Sequence, residues 1–254
     1  MGCSHCMENS TVAETESHMS RDLLIKALEL TNRLEGLAWS SGIPPIIAIS
    51  GGECTEHPDI IWILEELMRR KYIVIVITNG MWLENPELYK AILRPEWKGL
   101  TVQVTNDPRF YPKRPIHHED KRITYVSSLT HLIPLGRMKP TGTKGLSIGK
   151  YPPSFNIRSM TIHTRDIRKA LIVHRTRALT GKGGYCTPSI SSDGTLVAGE
   201  SNMCFPIGNV DSTAEQVTQA IMNMRCNRCS LVDNLSQEQK VAIGEAIIHT
   251  PYSK

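Results

Sequence analysis

The sequence IIAISGGE, at residues 46–53, sets the fold class of this chain. Four apolar residues are followed by a serine, two glycines and a glutamate, which is the pattern of a short buried strand that ends in a glycine turn. Residues 60–70, IIWILEELMRR, have helical spacing, and residues 72–77, YIVIVI, form a second apolar run that ends in TNG at 78–80. The order strand, loop, helix, strand predicts a βαβ unit with a parallel sheet.

Two polar segments, SGGE at 50–53 and TNG at 78–80, directly follow the predicted strands. Ligands of α/β proteins bind beyond the carboxyl ends of parallel strands, so these segments predict a binding site. Glycine lets a ligand approach the backbone closely, and the carboxylate of Glu53 accepts hydrogen bonds from an ammonium group. SGGE alone also suits a phosphate at a helix N-terminus, but it lacks the GxGxxG spacing and the lysine of a P-loop.

The remainder of the chain alternates between predicted helices and strands. A helical stripe begins after Ser20, an N-cap residue, and a short helix opens at Asn85-Pro86 and runs to about Leu93. Strands are predicted at 99–105, 122–126 and 156–162, short strands with turns at 192–194 and 208–209, and helices near 214–224 and 237–248. This pattern predicts an α/β fold: an open or partial β/α barrel over residues 1–180, then a small cysteine-rich α+β extension over 181–254.

The composition fits a globular protein that is soluble. The chain has 254 residues, of which 40% are hydrophobic and 21% charged, and a formal net charge of +4. No apolar run approaches the roughly 20 residues that cross a bilayer, and the N-terminus lacks the basic and apolar regions of a secretory signal. No long basic run or aromatic-studded basic stripe is present, so nucleic acid is not indicated as a partner. We therefore expect a cytoplasmic protein without a membrane partner.

The seven cysteines cluster towards the two ends of the chain. In a non-secreted α/β protein, an odd number with such clustering favours metal ligation over disulfides. Cys3 and Cys6 precede the first helix, and soft thiolates select zinc, copper(I) or iron–sulfur clusters. Cys54, beside Glu53, is predicted to be a buried thiol rather than a ligand. The tail carries the other four, which are Cys186, Cys204, Cys226 and Cys229.

Three segments together resemble the radical S-adenosylmethionine (radical SAM) superfamily. They are CSHCMENS at 3–10, ISGGECTEHPDI at 49–60 and ITNG at 77–80. The resemblance covers about residues 1–165 and implies a (β/α)6 barrel of radical SAM type. It also implies a CxxxCxxC motif, in which three thiolates hold a 4Fe–4S cluster and leave one iron open to the amino and carboxylate groups of S-adenosylmethionine.

The resemblance also implies a set of residues that bind S-adenosylmethionine. The family's GGE segment meets the methionine ammonium, strand ends lie near the nucleoside, and an LGR segment faces the cofactor's carboxylate in some members. The matching residues here are Ser50, Gly51, Gly52, Glu53, Asn79, Gln103, Thr105 and Arg137. No catalytic side chain is assigned.

One feature departs from the family pattern. Cys3 and Cys6 match the second and third cysteines of CxxxCxxC, but the first belongs four residues before Cys3, and the chain begins two residues before it. The first strand of such a barrel precedes that cysteine, so the barrel is expected to lack its start. Three interpretations stay open: a start assigned too late, a relative that no longer binds the cluster, or a non-cysteine ligand such as His5. A cluster on two thiolates would be labile.

The tail cysteines resemble the SPASM/twitch extension of many radical SAM enzymes. Twelve residues separate Cys186 from Gly199, four more precede Cys204, and Cys226 and Cys229 follow. The resemblance implies an auxiliary 4Fe–4S cluster on these four cysteines, in the manner of the shorter twitch form. A structural zinc ion on the same four thiolates is the alternative.

The resemblance finally implies a reaction. A reduced 4Fe–4S cluster passes one electron to the sulfonium of S-adenosylmethionine, and homolysis gives methionine and a 5′-deoxyadenosyl radical that abstracts hydrogen from the substrate. Members with such tails often modify peptides, so a peptide or protein substrate is expected, with flavodoxin or ferredoxin as electron donor. The alternatives are a non-catalytic binding or assembly protein and a zinc-binding α/β protein.

Overall fold

The computed structural model describes residues 18–105, 117–126, 157–179, 187–199 and 204–224. In chain order the helices are α1 (Arg21–Ser40), α2 (Ile60–Arg69), α3 (Pro86–Ile92), α4 (Ile157–Thr164), α5 (Ile167–Leu179) and α6 (Ala214–Asn223). The strands are β1 (Ile46–Ile49), β2 (Ile73–Thr78), β3 (Leu100–Thr105), β4 (Ile123–Val126), β5 (Ser189–Ile190), β6 (Thr195–Val197) and β7 (Pro206–Asn209). Two compact units result: β1–β4 with α2 and α3, and α1 with α4–α6 and β5–β7.

The first unit is built on a parallel sheet with the strand order β1-β2-β3-β4. The register pairs Ile49 with Val76 and Thr78 with Val104, so the ends of neighbouring strands lie close to one level. The helices α2 and α3 connect successive strands, as parallel pairing requires. Asn85 caps α3 by accepting hydrogen bonds from two backbone N–H groups, and Pro86 is its first residue. The predicted α/β class is confirmed.

The two faces of this sheet differ in burial. Along β2 and β3, buried residues alternate with half-buried ones. The paired register brings Val76 beside Val102 on the buried face and Ile77 beside Gln103 on the half-buried face. The helix α2, with its buried residues Ile60, Ile63, Leu64 and Leu67, packs against β2. A covered apolar face and a more open opposite face follow from this period of two.

The second unit combines a small antiparallel sheet with four helices. The strand order is β5-β6-β7, and β5 and β6 are joined by a turn in which Gly194 has φ +85°. Ser20 caps α1, and Thr213 and Gln216 form a capping box at the start of α6. All its helices contribute to one apolar core, together with β6 and β7, through residues that include Leu30, Leu34, Ile157, Ile167, Leu196, Ile207, Val217 and Ile221.

Two predictions of secondary structure are wrong. Residues 156–162, predicted as a strand, fall almost entirely within α4, where Ile157, Met160 and Thr161 are buried at the helical spacing i, i+3, i+4. Residues 208–209, predicted as a turn, end β7, and the turn follows them. The helix α5 was not predicted at all. The helix predicted near 237–248 lies outside the described residues.

The two compact units do not correspond to the residues before and after position 180. The helices α4 and α5 belong to the same unit as the tail strands, and so does α1. The predicted boundary near residue 180 concerns domains of separate function, and it stays a prediction.

Within the described part of the chain, every helix falls short of the length or the apolar character needed to span a membrane.

Candidate functional site

The SGGE segment forms the turn that leaves β1. Ser50, Gly51 and Gly52 are exposed. Gly51 has φ +155°, a backbone conformation that favours glycine, and a Cβ placed on it would meet no atom within 4 Å. Glycine is thus required here by the backbone, and the space beside it is open to a ligand.

Glu53 connects the loop after β1 to the loop after β2. Its Oε1 accepts hydrogen bonds from the backbone N–H (3.1 Å) and the hydroxyl (2.6 Å) of Thr55 and from the hydroxyl of Thr78 (2.7 Å). Its Oε2 accepts one from the backbone N–H of Asn79 (2.8 Å). A carboxylate oxygen offers about two lone pairs, so Oε1 is saturated and Oε2 retains room for one more donor.

Thr78, the last residue of β2, lies at the centre of this network. Its hydroxyl oxygen accepts hydrogen bonds from the backbone N–H of Gly80 (3.0 Å) and from the indole Nε1–H of Trp82 (3.1 Å). Gly80 reaches it because φ is +77° there, in the left-handed region. Two donors fill the acceptor sites of the hydroxyl, so its own hydrogen is directed to Oε1 of Glu53.

Asn79 presents a donor at the same edge of the sheet. Its side-chain Oδ1 accepts a hydrogen bond from the backbone N–H of Met81 (2.8 Å), which orients the amide group. Among the described residues, its Nδ2 has no hydrogen-bond partner. The end of the sheet therefore offers an acceptor, Oε2 of Glu53, and a donor, Nδ2 of Asn79, to a ligand.

Cys54 is confirmed as a buried thiol. It is 8% exposed, and its Sγ donates a hydrogen bond to the carbonyl of Ile77 (3.3 Å). Burial, and secondly the carboxylate of Glu53, raise the pKa of this thiol to about 12. A neutral thiol is a poor metal ligand, so Cys54 joins the two loops structurally.

Gln103 and Thr105 lie on the half-buried face of β3. Gln103 stands between Ile77 of β2 and Thr124 of β4, and Thr105 pairs with Val126. Thr78 pairs with Val104 and is therefore on the opposite, buried face. Gln103 and Thr105 therefore lie on the face opposite to Thr78, whereas Glu53 and Asn79 follow the ends of β1 and β2 and belong to neither face.

Several predicted site residues lie outside the described residues, and their roles stay predictions. They are Cys3, Cys6, Arg137, Cys186, Cys226 and Cys229. The part of the chain that the structure describes contains no group of three or more His, Cys, Asp or Glu side chains that would hold a metal ion.

Cys204 is the tail cysteine that the structure describes. It is half-buried and lies against Gly199, where an added Cβ would stand 3.1 Å from the Cys204 Sγ. The hydroxyl of Ser189 donates a hydrogen bond to the carbonyl of Gly199 (2.5 Å) and holds this backbone in place. The glycine of the cysteine spacing pattern therefore has a physical reason: a side chain there would displace the thiol.

Three residues of the Glu53 network were not predicted as site residues: Thr55, Thr78 and Trp82. The available signal was the threonine that ends IVIVIT, an otherwise aliphatic strand, because a hydroxyl at that position needs polar partners. The partners themselves follow from the meeting of two loops that the sequence separates by 25 residues.

The Oε2 of Glu53 and the side-chain amide of Asn79 form a small polar site at the carboxyl edge of the parallel sheet, and the turn that leads to Glu53 has open space beside Gly51. The site has one acceptor with negative charge and one neutral donor.

Protein-family models, curated proteins and solved structures were compared with this chain, and none of them matches it.

Proposed function

We propose that this chain is a radical SAM protein, with S-adenosylmethionine bound at the carboxyl edge of the parallel sheet. The observation that carries the proposal is the carboxylate of Glu53, held by hydrogen bonds from Thr55, Thr78 and Asn79 with capacity left on Oε2. An ammonium group suits this oxygen because a charge-assisted hydrogen bond is about twice as strong as a neutral one. The Nδ2 of Asn79 suits an oxygen of the same ligand.

We also propose that the sheet belongs to a radical SAM-type β/α barrel. The N–H of Ile73 donates to the carbonyl of Pro45 (3.0 Å), so the backbone of Pro45 faces β2. Backbone N–H and C=O groups alternate in direction along a strand, so those of Ile47 also face β2. The N–H and C=O groups of Ile46 and Ala48 consequently point away from β2, at the edge of the described sheet. An uncharged apolar edge of this kind accepts a neighbouring strand. In such a barrel, the half-buried face of the sheet is the interior.

The proposed roles of the chain's own residues are to bind and orient. Glu53 takes the ammonium of S-adenosylmethionine, Gln103 and Thr105 hydrogen-bond its nucleoside from the interior face, and Arg137 faces its carboxylate. When bound beside a reduced 4Fe–4S cluster, S-adenosylmethionine supplies a radical that abstracts hydrogen from the substrate. Cys3 and Cys6 would supply two of the three thiolates that such a cluster needs, and the thiolates of Cys186, Cys204, Cys226 and Cys229 would hold the auxiliary cluster.

The substrate class and the partners are part of the same proposal. We propose a peptide or protein substrate, an electron donor such as flavodoxin or ferredoxin, and a cytoplasmic location. The 1–180 portion carries the chemistry in this scheme, and the 181–254 portion carries the auxiliary cluster.

Binding of S-adenosylmethionine to the full chain tests the proposal. We expect Glu53→Gln to weaken binding at least about tenfold, since it removes the charge that meets the ammonium. The matched control is Glu56→Gln, because Glu56 is exposed and accepts no hydrogen bond from Thr78 or Asn79. The proposal fails if the wild-type chain does not bind S-adenosylmethionine or if Glu53→Gln binds it as tightly as the wild type.

Metal analysis of the anaerobically isolated chain tests the tail. Iron with acid-labile sulfide supports the auxiliary cluster, whereas zinc without iron supports the structural zinc alternative. Cys204→Ala should lower the metal content, and Cys54→Ala should leave it unchanged because Cys54 is a buried, neutral thiol. Formation of 5′-deoxyadenosine from S-adenosylmethionine under reducing conditions separates the enzyme from a non-catalytic binding protein.

A further inference from the structure

We infer that Thr78, held in place by Trp82, is the positioning residue that aims the Glu53 carboxylate at the ligand. The inference rests on the proposed function, because it names the group that prepares the acceptor for an ammonium. It concerns residues that touch Glu53 rather than the ligand.

The orientation of the Thr78 hydroxyl is determined by its surroundings. A threonine hydroxyl rotates freely in solution, and it has one hydrogen and two lone pairs. Here the N–H of Gly80 and the indole N–H of Trp82 occupy the lone pairs. The hydrogen is left with Oε1 of Glu53, 2.7 Å away, as its acceptor.

Burial makes this arrangement rigid. Thr78 is 3% exposed and Trp82 is 5% exposed. Water therefore competes little for the hydroxyl, and leaving one of these buried polar groups unpaired is costly. The chain of hydrogen bonds from Trp82 through Thr78 to Glu53 consequently keeps a single direction.

As a consequence, the two carboxylate oxygens of Glu53 differ in their capacity to accept a ligand's hydrogen bond. Thr78 and Thr55 together supply three donors to Oε1. The ammonium of a ligand is thereby excluded from Oε1 and directed to Oε2, which has a single donor among the residues that the structure describes, the N–H of Asn79. Removing the Thr78 hydroxyl leaves Oε1 with the two donors of Thr55 alone and cuts its link to the end of β2. The carboxylate is then held less firmly, so the ligand loses a prepared partner.

Two probes isolate this effect in the full chain. S-adenosylmethionine carries the ammonium, and 5′-methylthioadenosine retains the nucleoside but lacks the amino acid. The ratio of their Kd values measures the recognition of the amino-acid end together with the sulfonium charge, and a change of this ratio in a variant at Glu53 or Thr78 reports the amino-acid end. We expect Thr78→Val to lower this preference about tenfold, the loss typical of one hydrogen bond to a charged group, while the Kd of 5′-methylthioadenosine changes less than about twofold.

Two further variants distinguish positioning from structural support. Thr78→Ser retains the hydroxyl and should restore most of the preference. Trp82→Phe retains an aromatic ring and removes the N–H, so we expect an intermediate loss of about threefold, because one of the two groups that orient Thr78 remains.

The outcomes separate this inference from the proposed function. A wild-type chain that does not prefer S-adenosylmethionine overturns the proposed function and the inference with it. Loss of the preference in Glu53→Gln with an unchanged preference in Thr78→Val overturns the inference alone. Equal weakening of both probes in Thr78→Val, or no recovery in Thr78→Ser, also overturns it, since Thr78 is then a support of the fold. If Trp82→Phe leaves the preference for S-adenosylmethionine unchanged, the part of the inference that assigns Trp82 to orienting Thr78 is overturned.

Discussion

Cys54 shows how burial decides the chemistry of a single thiol. Its pKa rises from 9.0 to about 12, chiefly by burial. We expect Cys54 to resist alkylation by iodoacetamide at about pH 8 in the native chain and to react in urea, because the thiolate is the nucleophile. Peptide mass spectrometry measures the modified fraction. Modification of the native chain at the rate of an unfolded cysteine would contradict the assigned burial.

The same shift of the pKa has a consequence for stability. Because the folded pKa is raised, the contribution of the neutral Cys54 thiol is complete below pH 9.0 and is lost as the pH rises towards about 12. Cys54→Ala removes a titrating group, so its urea midpoint should fall less steeply than that of the wild type over this alkaline range.

Gly51 and Gly36 allow the cost of backbone strain to be measured apart from the cost of a steric clash. A Cβ on Gly51 or on Gly36 meets no atom within 4 Å, but only Gly51 has a positive φ. We expect Gly51→Ala to lower the free energy of unfolding by about 1–2 kcal/mol through strain. Gly36→Ala lies within α1 and should raise it by about 0.5–1 kcal/mol. Urea denaturation measures both, and equal effects would contradict the φ of Gly51.

The sequence pattern predicts that SGGE and TNG stand at the ends of two strands, as the structure has them, but it does not predict the hydrogen bonds between them. Glycines and a glutamate after one apolar run, and TNG after the next, indicate the carboxyl ends of strands by local pattern alone. The bond between Thr78 and Glu53 joins residues that meet only after the sheet has formed. Local pattern does not specify which of several hydroxyls will reach a carboxylate.

At the scale of elements, length and period decide how well a segment can be predicted. The helix α1 spans 20 residues with an N-cap, so its apolar stripe is unambiguous. The helix α4 has eight residues, too few to distinguish a period of 3.6 from a period of two. The side chain of Thr161 is fully buried there and donates a hydrogen bond to the carbonyl of Ile157 (2.8 Å), four residues earlier. This contact exists only in the helix, so the sequence alone does not reveal it.

A buried ion pair links α1 to α5 and gives the element-scale prediction. The guanidinium of Arg175 donates to Oε1 of Glu35, while Oε2 is buried without a hydrogen-bond partner among the described residues. Removing one member of such a pair costs about 3–5 kcal/mol, because the other charge stays buried. We expect that loss for Glu35→Ala and a partial recovery in the double variant Glu35→Leu/Arg175→Met. Urea denaturation decides, and a double variant no more stable than the single one would contradict the pairing.

The pH dependence of this pair follows from the same burial. Burial raises the pKa of Glu35 more than Arg175 lowers it. A raised folded pKa contributes stability below the ordinary value of 4.5, and this contribution is lost as the pH rises through the folded pKa. Glu35→Gln cannot titrate, so the difference in unfolding free energy between wild type and variant should change across that acidic range.

At the scale of the whole molecule, contacts distant in sequence define the second unit. The guanidinium of Arg33 donates to the carbonyl of Val210 (2.6 Å), and Lys26 pairs with Asp211 (3.1 Å). These residues stand about 180 positions apart, and no periodicity in the sequence links them. The alternation of strands and helices predicted the α/β class, whereas the grouping of α1 with the tail strands required the structure.

Ligand binding provides the prediction for the whole chain. A ligand that binds the native state stabilises it by about 2.7 kcal/mol at about 100 times its Kd. We expect S-adenosylmethionine to raise the urea midpoint reported by the buried Trp82 and Trp97 of the first unit. Trp39→Phe removes the tryptophan of the second unit from the fluorescence signal and should retain the shift. Glu53→Gln should abolish the shift at the same ligand concentration, and an equal shift in this variant would place the bound ligand elsewhere in the chain.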